Sequence, residues 1–461
     1  MKLKRGCPSP FSWLLGRPLF CFDNQSNESV KLNAVSQNTY VNPDRGNNKN
    51  VYPLVMGESK LKVTRTQMMW LIFCINIGLP IYLSGMLKSA MQDAWISVLF
   101  AGAVGFITIT LAINNAKYYP GQTFIEFSQE VFGKWLGRFW VLPYLAFWMI
   151  SLGNILRSVV DFVIMALFKQ TPILVVVLGV FIAVVFAVVT NGITTIGRCA
   201  ELMGPFIMMM FILIYILNLS NLEYDFLFPI GADSGLLKIL AGSVNMMELY
   251  GDSYLLVMVY GFLEKQKNAI PRIYAGLGIA VCFMLFTTLF IILTFGPGLA
   301  GKMQYPLYEL VRYIEVGEFL QRIEVVMIGL WIFSAFIKLG LYLFCLSYGT
   351  AQWLGIKKWK FMIIPISLLA VWAAELPSSL MTIHELFIRF IDPISLPVLY
   401  LLLPFVLWMV ILFRKRKEEE VQLGRTPAIA TVHSVWRISG MTLLIVLIGI
   451  YYFLYIRYFN I

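Results

Sequence analysis

Apolar runs long enough to cross a bilayer recur along most of this chain. They lie at about 67–87, 94–113, 139–167, 172–190, 201–219, 236–263, 273–296, 324–350, 361–376, 393–413 and 440–457. The hydrocarbon core of a membrane takes about 20 apolar residues per helix. Backbone groups there find no water, so each such run must satisfy its hydrogen bonds internally as a helix. Only 13% of the residues are charged and 59% are hydrophobic, whereas soluble domains carry about 25% charged residues. The net charge of +11 does not signal nucleic acid. The basic residues sit in short stretches between apolar segments, as membrane topology signals do, rather than on one face. The expected class is therefore an all-α polytopic protein whose surroundings are a lipid bilayer, with no nucleic-acid partner.

Three regions are expected. Residues 1–60 are polar and Asn-rich and read as a disordered extension. Residues 61–417 hold ten segments, and 418–461 form a C-terminal extension with an expected eleventh helix. Loops at 114–138, 262–272 and 351–360 are rich in Lys and Arg, whereas 220–235 has Glu223, Asp225 and Asp233 and neither cation. The positive-inside rule then predicts that the N-terminus and both ends of the ten-segment core are cytoplasmic.

Ten spans divide into two halves of five, and an odd number per half makes the repeat inverted. The first segment of each half is interrupted by glycine, at Gly78-Leu79-Pro80 and at Gly251-Asp252. The second segment of each half leads into a loop opening with Tyr-Pro, at Tyr119-Pro120 and Tyr305-Pro306. Each loop runs through an amphipathic stretch to a glycine, Gly133 or Gly317. A five-plus-five inverted-repeat bundle of the leucine-transporter type is predicted, with breaks in segments 1 and 6.

Polar groups inside the apolar runs mark the candidate site. Ile77, Gly78 and Leu79 precede Pro80. Either they form a harmless kink, or an unwound midpoint whose backbone N–H groups suit a carboxylate. Segment 6 carries Asn245, Glu248, Gly251 and Asp252, with the two carboxylates i,i+4 on one face. Facing lipid would cost each about 2.5–3.5 kcal/mol, so they face protein or a cavity. They either bind a ligand or pair with a neighbouring cation. Lys338 sits alone in the middle of segment 8. It balances a buried carboxylate, or its ammonium takes the place of a coupling sodium ion between segments 1 and 8. In segment 3, Asn154 borders the expected site, and Arg157 and Asp161 are placed i,i+4 to neutralise one another.

Enzyme and metal chemistry have no support. There is no nucleophile–base constellation, Walker loop or dinucleotide fingerprint. The six cysteines form no C-x-x-C, with Cys199 read as lying in a short loop, and His384 and His433 are far apart. No cofactor is expected.

Several stretches in order carry a resemblance. Asp93-Ala-Trp-Ile-Ser-Val-Leu, Tyr119-Pro-Gly-Gln-Thr-Phe-Ile-Glu-Phe and Gly133-Lys-Trp-Leu-Gly come first. Phe295-Gly-Pro-Gly-Leu, Tyr305-Pro-Leu-Tyr-Glu-Leu-Val-Arg, Phe319-Leu-Gln-Arg-Ile-Glu and Phe336-Ile-Lys-Leu-Gly-Leu-Tyr-Leu-Phe follow. Over about 60–415 the chain resembles the spore germination permeases, the B subunits of germinant receptors. That family is similar to the amino acid–polyamine–organocation transporters. The resemblance implies a sensor of small nutrients, such as amino acids, in the inner membrane of a spore, working with an A subunit and a lipoprotein C subunit. Residues 1–55 and 418–461 depart from the family pattern, with Met56-Gly57-Glu58 resembling its usual start. Asp252 stands where the pattern has Glu, which leaves ligand selectivity open. A proton-coupled amino acid transporter of the same fold is the alternative.

Overall fold

The computed structural model describes residues 61–77, 81–168, 170–231, 235–264, 266, 268–314, 323–376 and 395–422. The N-terminal extension, the eleventh segment, Gly78–Pro80, Gly317, Asp233, His384 and His433 lie outside the described residues. The described residues hold helices at all ten core positions, and seven spans among them are long and apolar enough to cross a membrane.

Segment 1 comprises α1 (Arg65–Asn76) and α2 (Ile81–Ala90). A turn at Met91, with φ +49°, leads into α3 (Ala94–Ala116). A short helix, α4 (Phe124–Phe132), precedes α5 (Lys134–Ala166), α6 (Ile173–Asn191) and α7 (Ile193–Leu217). The second half runs through α8 (Gly235–Gly251), a 3-10 turn at Asp252–Leu255 and α9 (Leu256–Val259). Then come α10 (Ile270–Ala300), the short α11 (Pro306–Arg312), α12 (Ile323–Leu354) and α13 (Ile363–Glu375). A π-helix at Ser395–Leu402 continues into α14 (Leu403–Gln422).

Local chemistry explains several boundaries. Thr64 and Gln67 form a reciprocal capping box at the start of α1, and Thr123 and Glu126 repeat it at α4. Each box satisfies two backbone N–H groups that a helix start otherwise leaves free. The two Tyr-Pro loops expected as counterparts do contain counterpart helices, α4 and α11. One expectation fails here: the loop between segments 4 and 5 is a tight turn at Gly192, and Cys199 lies within α7. Gly192 has φ +52°, and a β-carbon there would meet the rings of Phe344 and Trp359 at 3.0 and 3.1 Å. Glycine supplies both the backbone conformation and the space.

The packing between halves is reciprocal. The leading helix of the first half, α1, packs on α10, and the leading helix of the second half, α8, packs on α3. The second helices of the two halves, α3 and α10, pack together, as do the third helices, α5 and α12. An inverted repeat requires this exchange, since each half presents to the other the surface it receives. The outer helices show the solvent. Leu174, Val175, Leu178, Ile182, Phe186 and Val189 recur at helical spacing on α6 and are all exposed. Facing lipid, that stripe needs no protein cover, and α6 forms the bundle's wall. This is an integral, multi-pass, all-α membrane protein.

Candidate functional site

The central polar cluster is assembled from three parts of the chain. On α8, Asn245, Glu248 and Asp252 stand at i, i+3 and i+7, so one face carries all three. On α12, Lys338 and Tyr342 stand at i and i+4 on one face. Tyr400 comes from the π-helix. They converge on Asp252. One carboxylate oxygen pairs with the Lys338 ammonium at 2.6 Å. The other accepts hydrogen bonds from the Tyr342 hydroxyl and, at 3.1 Å, from the Tyr400 hydroxyl. The side chains of Lys338 and Asp252 are only 5% and 9% exposed. Both carboxylate oxygens are occupied, so Asp252 is held as part of the scaffold.

The end of α1 is tied into the same region. The Asn76 amide donates to the Ile72 carbonyl at 2.7 Å, satisfying a carbonyl in the last turn of α1. Its side-chain oxygen accepts from the Ser253 hydroxyl at 3.1 Å, which links α1 to the residue after Asp252. Ser334, one turn before Lys338 on α12, donates to the Cys74 carbonyl at 2.9 Å. Segments 1, 6 and 8 thus meet through short polar contacts within one helical turn of the ion pair.

Segment 6 is not unwound at Gly251, and the expected break there is corrected. Gly251 has helical angles (φ −60°, ψ −31°), and the chain continues from it as a tighter 3-10 turn. The glycine serves a close approach instead: a β-carbon would lie 2.1 Å from the Tyr400 ring. Its smallness lets Tyr400 reach Asp252 across the helix. In segment 1, α1 stops at Asn76 with Ile77 in a bend, and α2 resumes at Ile81. Gly78 and Leu79 themselves are outside the described residues.

The π-helix runs into a proline. Its i→i+5 pattern would have the N–H of residue 404 donate to the Leu399 carbonyl, and residue 404 is proline. The Tyr144 hydroxyl donates to that Leu399 carbonyl at 2.9 Å, and the Asn115 amide to the Pro404 carbonyl at 3.0 Å. The Tyr144 side chain of α5 therefore satisfies a carbonyl that the proline would leave bare in an apolar interior, and Asn115 ties α3 to the same stretch.

The other expected residues divide. Asn245 is 6% exposed on the α8 face that meets α2, where Gly85 leaves room for its amide. Its side chain makes no hydrogen bond to any described residue. Glu248 is buried within electrostatic reach of Tyr342 and Tyr400. Arg157 and Asp161 form the local pair their spacing predicts, with the Arg157 Nε 3.0 Å from both carboxylate oxygens. The Arg157 guanidinium also donates to the Ala374 carbonyl at the end of α13, at 3.0 Å. Burial, reinforced by the Asp161 carboxylate, pushes the Tyr305 hydroxyl in the loop before α11 well above its ordinary pKa. Asn154 is half-buried and bonds no described residue.

Sequence reasoning missed Tyr342, Tyr400 and Asn76, whereas Ser253 stands among the polar groups of segment 6. Tyr342 could have been found, because it follows Lys338 by one turn on the same face. Asn76 was visible as the lone amide at the end of an apolar run. Nothing local marks Tyr400.

Comparison with known proteins fits this architecture. Spore germination protein YndE of Bacillus subtilis (strain 168) is 25% identical over 270 residues, 58% of this chain and 73% of that protein. Spore germination protein KB of the same strain is 24% identical over 300 residues, 64% of this chain and 79% of that one. Spore germination protein GerQB of Bacillus cereus is 24% identical over 326 residues, 70% and 88% of the two chains. Among solved structures, the nucleobase-cation-symport-1 transporter Mhp1, closed with bromovinylhydantoin bound, superposes with a TM-score of 0.54 at 14% identity. That likeness covers 74% of this chain and 77% of Mhp1. A Na+-coupled sialic acid symporter in an outward-open state gives 0.54 at 12% identity, over 76% and 79%. Identities this low speak to the fold alone, which is that of these transporters. Residues 62–379 match the family described as Spore germination protein, and the chain belongs to that family.

Proposed function

We propose that this protein is the membrane-embedded nutrient-sensing subunit of a spore germinant receptor. It binds a small germinant, such as an amino acid, at mid-membrane depth and passes the signal to A and C subunits in the spore inner membrane, with its N-terminus cytoplasmic. The observation that carries the reading is the Asp252 cluster, in which segments 6, 8 and 10 are held by one buried carboxylate beside the end of α1. A ligand entering between α1, α2 and α8 would meet backbone N–H groups around Ile77, Gly78 and Leu79 with its carboxylate. Its ammonium would lie toward Glu248 and the unpaired Asn245 amide oxygen. Lys338, Arg157 and Asp161 balance charge and do not touch the ligand. The Lys338 ammonium supplies a fixed positive charge in a fold whose solved neighbours are cation-coupled.

The same titratable groups support the second reading, a proton-coupled amino acid transporter. Asp252→Asn keeps the size of the side chain, removes its charge and replaces one of its two acceptor oxygens with an NH2 donor. In a sensor it should shift the germinant dose response, scored per receptor present in the membrane, by about tenfold or more, the effect of roughly 1.4 kcal/mol, alongside a fall in abundance because Lys338 is left buried without its counter-charge. Wild-type dose response in this variant would sink the central-site reading. Accumulation of labelled amino acid by vesicles carrying this chain alone, driven by a pH gradient, would establish the transporter reading instead.

A further inference from the structure

The first two turns of α5 carry features that the central cluster does not use. At 33 residues, α5 is about 50 Å long at a rise of about 1.5 Å per residue, whereas the hydrocarbon of a bilayer is about 30 Å thick. Its far end, 163–166, is apolar, so the excess length lies at the charged start, which rises to headgroup depth. Packing fixes which way these turns face. A β-carbon at Gly137 would lie 2.5 Å from the Gln129 Cα, so only glycine lets α4 cross α5 this closely. From another side, the Trp353 indole at the end of α12 donates to the Arg138 carbonyl at 3.1 Å.

What these turns present outward is two adjacent stripes. Trp135 and Phe139, at i and i+4, are 74% and 67% exposed, and exposed Leu142 continues them toward mid-membrane. Lys134 and Arg138, also at i and i+4, run beside them. Arg138 is half-buried, yet its Nε is shut off from solvent and bonds no described residue. A guanidinium only donates, so this N–H calls for an acceptor. The carboxylates of neighbouring α4 do not supply it, since Glu126 accepts from Thr123 and Glu130 from Gln122. We propose that this corner binds an anionic phospholipid of the adjoining leaflet. The headgroup phosphate accepts from the planar guanidinium of Arg138, and the Lys134 ammonium adds charge. The acyl chains lie along Trp135, Phe139 and Leu142. A lipid suits the site better than an acidic protein surface does, because the acceptor is needed at the edge of an apolar stripe that enters the membrane. Lipid binding here stands independently of the receptor reading.

The test uses the full chain in mixed phosphatidylcholine–phosphatidylglycerol membranes. The lipids that stay bound through detergent extraction are counted and compared with the membrane's own ratio. Wild type should retain phosphatidylglycerol over phosphatidylcholine by about fivefold for each basic residue engaged, about 25-fold for two. Arg138→Gln and Lys134→Gln should each lower that enrichment by about fivefold. Lys134 is exposed at the helix start, so its variant remains informative if Arg138→Gln fails to accumulate. Lys117→Gln removes a positive charge from a side chain that bonds Asn114 in the preceding basic loop, and it should leave the enrichment unchanged. Equal retention of the two lipids by wild type would overturn the inference, as would enrichment that survives both α5 substitutions. An equal fall in the Lys117 and Arg138 variants would also overturn it, since diffuse charge rather than a site would then attract the lipid. Equal lipid retention together with binding of an acidic peptide that Arg138→Gln abolishes would assign the corner to a protein partner and overturn the lipid.

Discussion

Two buried ion pairs among the described residues look alike in composition and differ in construction. Arg157 and Asp161 are neighbours on one helix, four residues apart, and Asp161 is 17% exposed. Lys338 and Asp252 come from α12 and the end of α8, and neither is more than 9% exposed. The first pair would exist on an isolated α5, and its Arg157 also donates to the Ala374 carbonyl. The second exists only when segments 6 and 8, both in the second half of the repeat, are docked, and it recruits Tyr342 and Tyr400 as well. A local pair makes a helix tolerable to a membrane. A long-range pair with no local substitute reports whether segments 6, 8 and 10 are in place, and such a joint is where ligand binding can be coupled to helix movement.

The largest expected effect comes from Lys338→Met, which keeps the length of the side chain and removes its charge. Asp252 would be left buried with two hydroxyls and no counter-charge. Breaking a buried pair in this way costs about 3–5 kcal/mol, read as a fall in membrane abundance and in thermal stability of the detergent-purified protein. Adding Asp252→Leu to Lys338→Met removes the stranded carboxylate as well. It should recover a large part of the stability without recovering germinant response. A double variant as unstable as the single one would show that the pair does more than neutralise charge.

Asp161→Asn tests the other side of the comparison. Arg157 keeps the Ala374 carbonyl and a side-chain oxygen to donate to, and the Asp161 position retains some exposure. The loss is that of charge-assisted hydrogen bonds, about 1.5–3 kcal/mol, with the germinant dose response unchanged. A loss matching that of Lys338→Met, or a shift in dose response, would erase the distinction between a local and a coupling pair.

What the sequence discloses follows the same division between near and distant. The membrane class, the helix positions, the Arg157–Asp161 pair and the counterpart helices α4 and α11 all depend on residues a few positions apart, and periodicity reveals them. The isolation of Lys338 in an apolar run calls for a carboxylate or a cavity to meet it, and the structure supplies a carboxylate. Which carboxylate did so depended on how α8 and α12 dock, and no local rule supplies that. Gly251 was misread for a related reason. Glycine in a helix signals either unwinding or a close approach, and only the ring of Tyr400, far along the chain, decides for the approach. Tyr400 itself is aimed by a π-helix, which no local sequence rule announces.

The smallest effect, and the finest test of the comparison, is expected from Tyr400→Phe. The ring remains packed against Gly251, so the change removes one hydroxyl and no volume worth counting. Asp252 loses the 3.1 Å hydrogen bond and retains Lys338 and Tyr342. A single hydrogen bond to a charged group contributes about 1.5–3 kcal/mol at most. With two partners remaining on the carboxylate, the lower end of that range is expected, about 1.5 kcal/mol, which leaves abundance near normal. If the cluster is a joint between helices, loosening the π-helix from Asp252 should still change the germinant dose response, because the balance between docked and undocked segment 10 shifts by that same energy, about tenfold. Comparing Tyr342→Phe alongside separates the two hydroxyls, since Tyr342 shares α12 with Lys338 and its loss unties no additional helix. Equal dose responses in the two variants would mean that the cluster fixes charge alone, and that the long-range pair, like the local one, only makes its helices tolerable to the membrane.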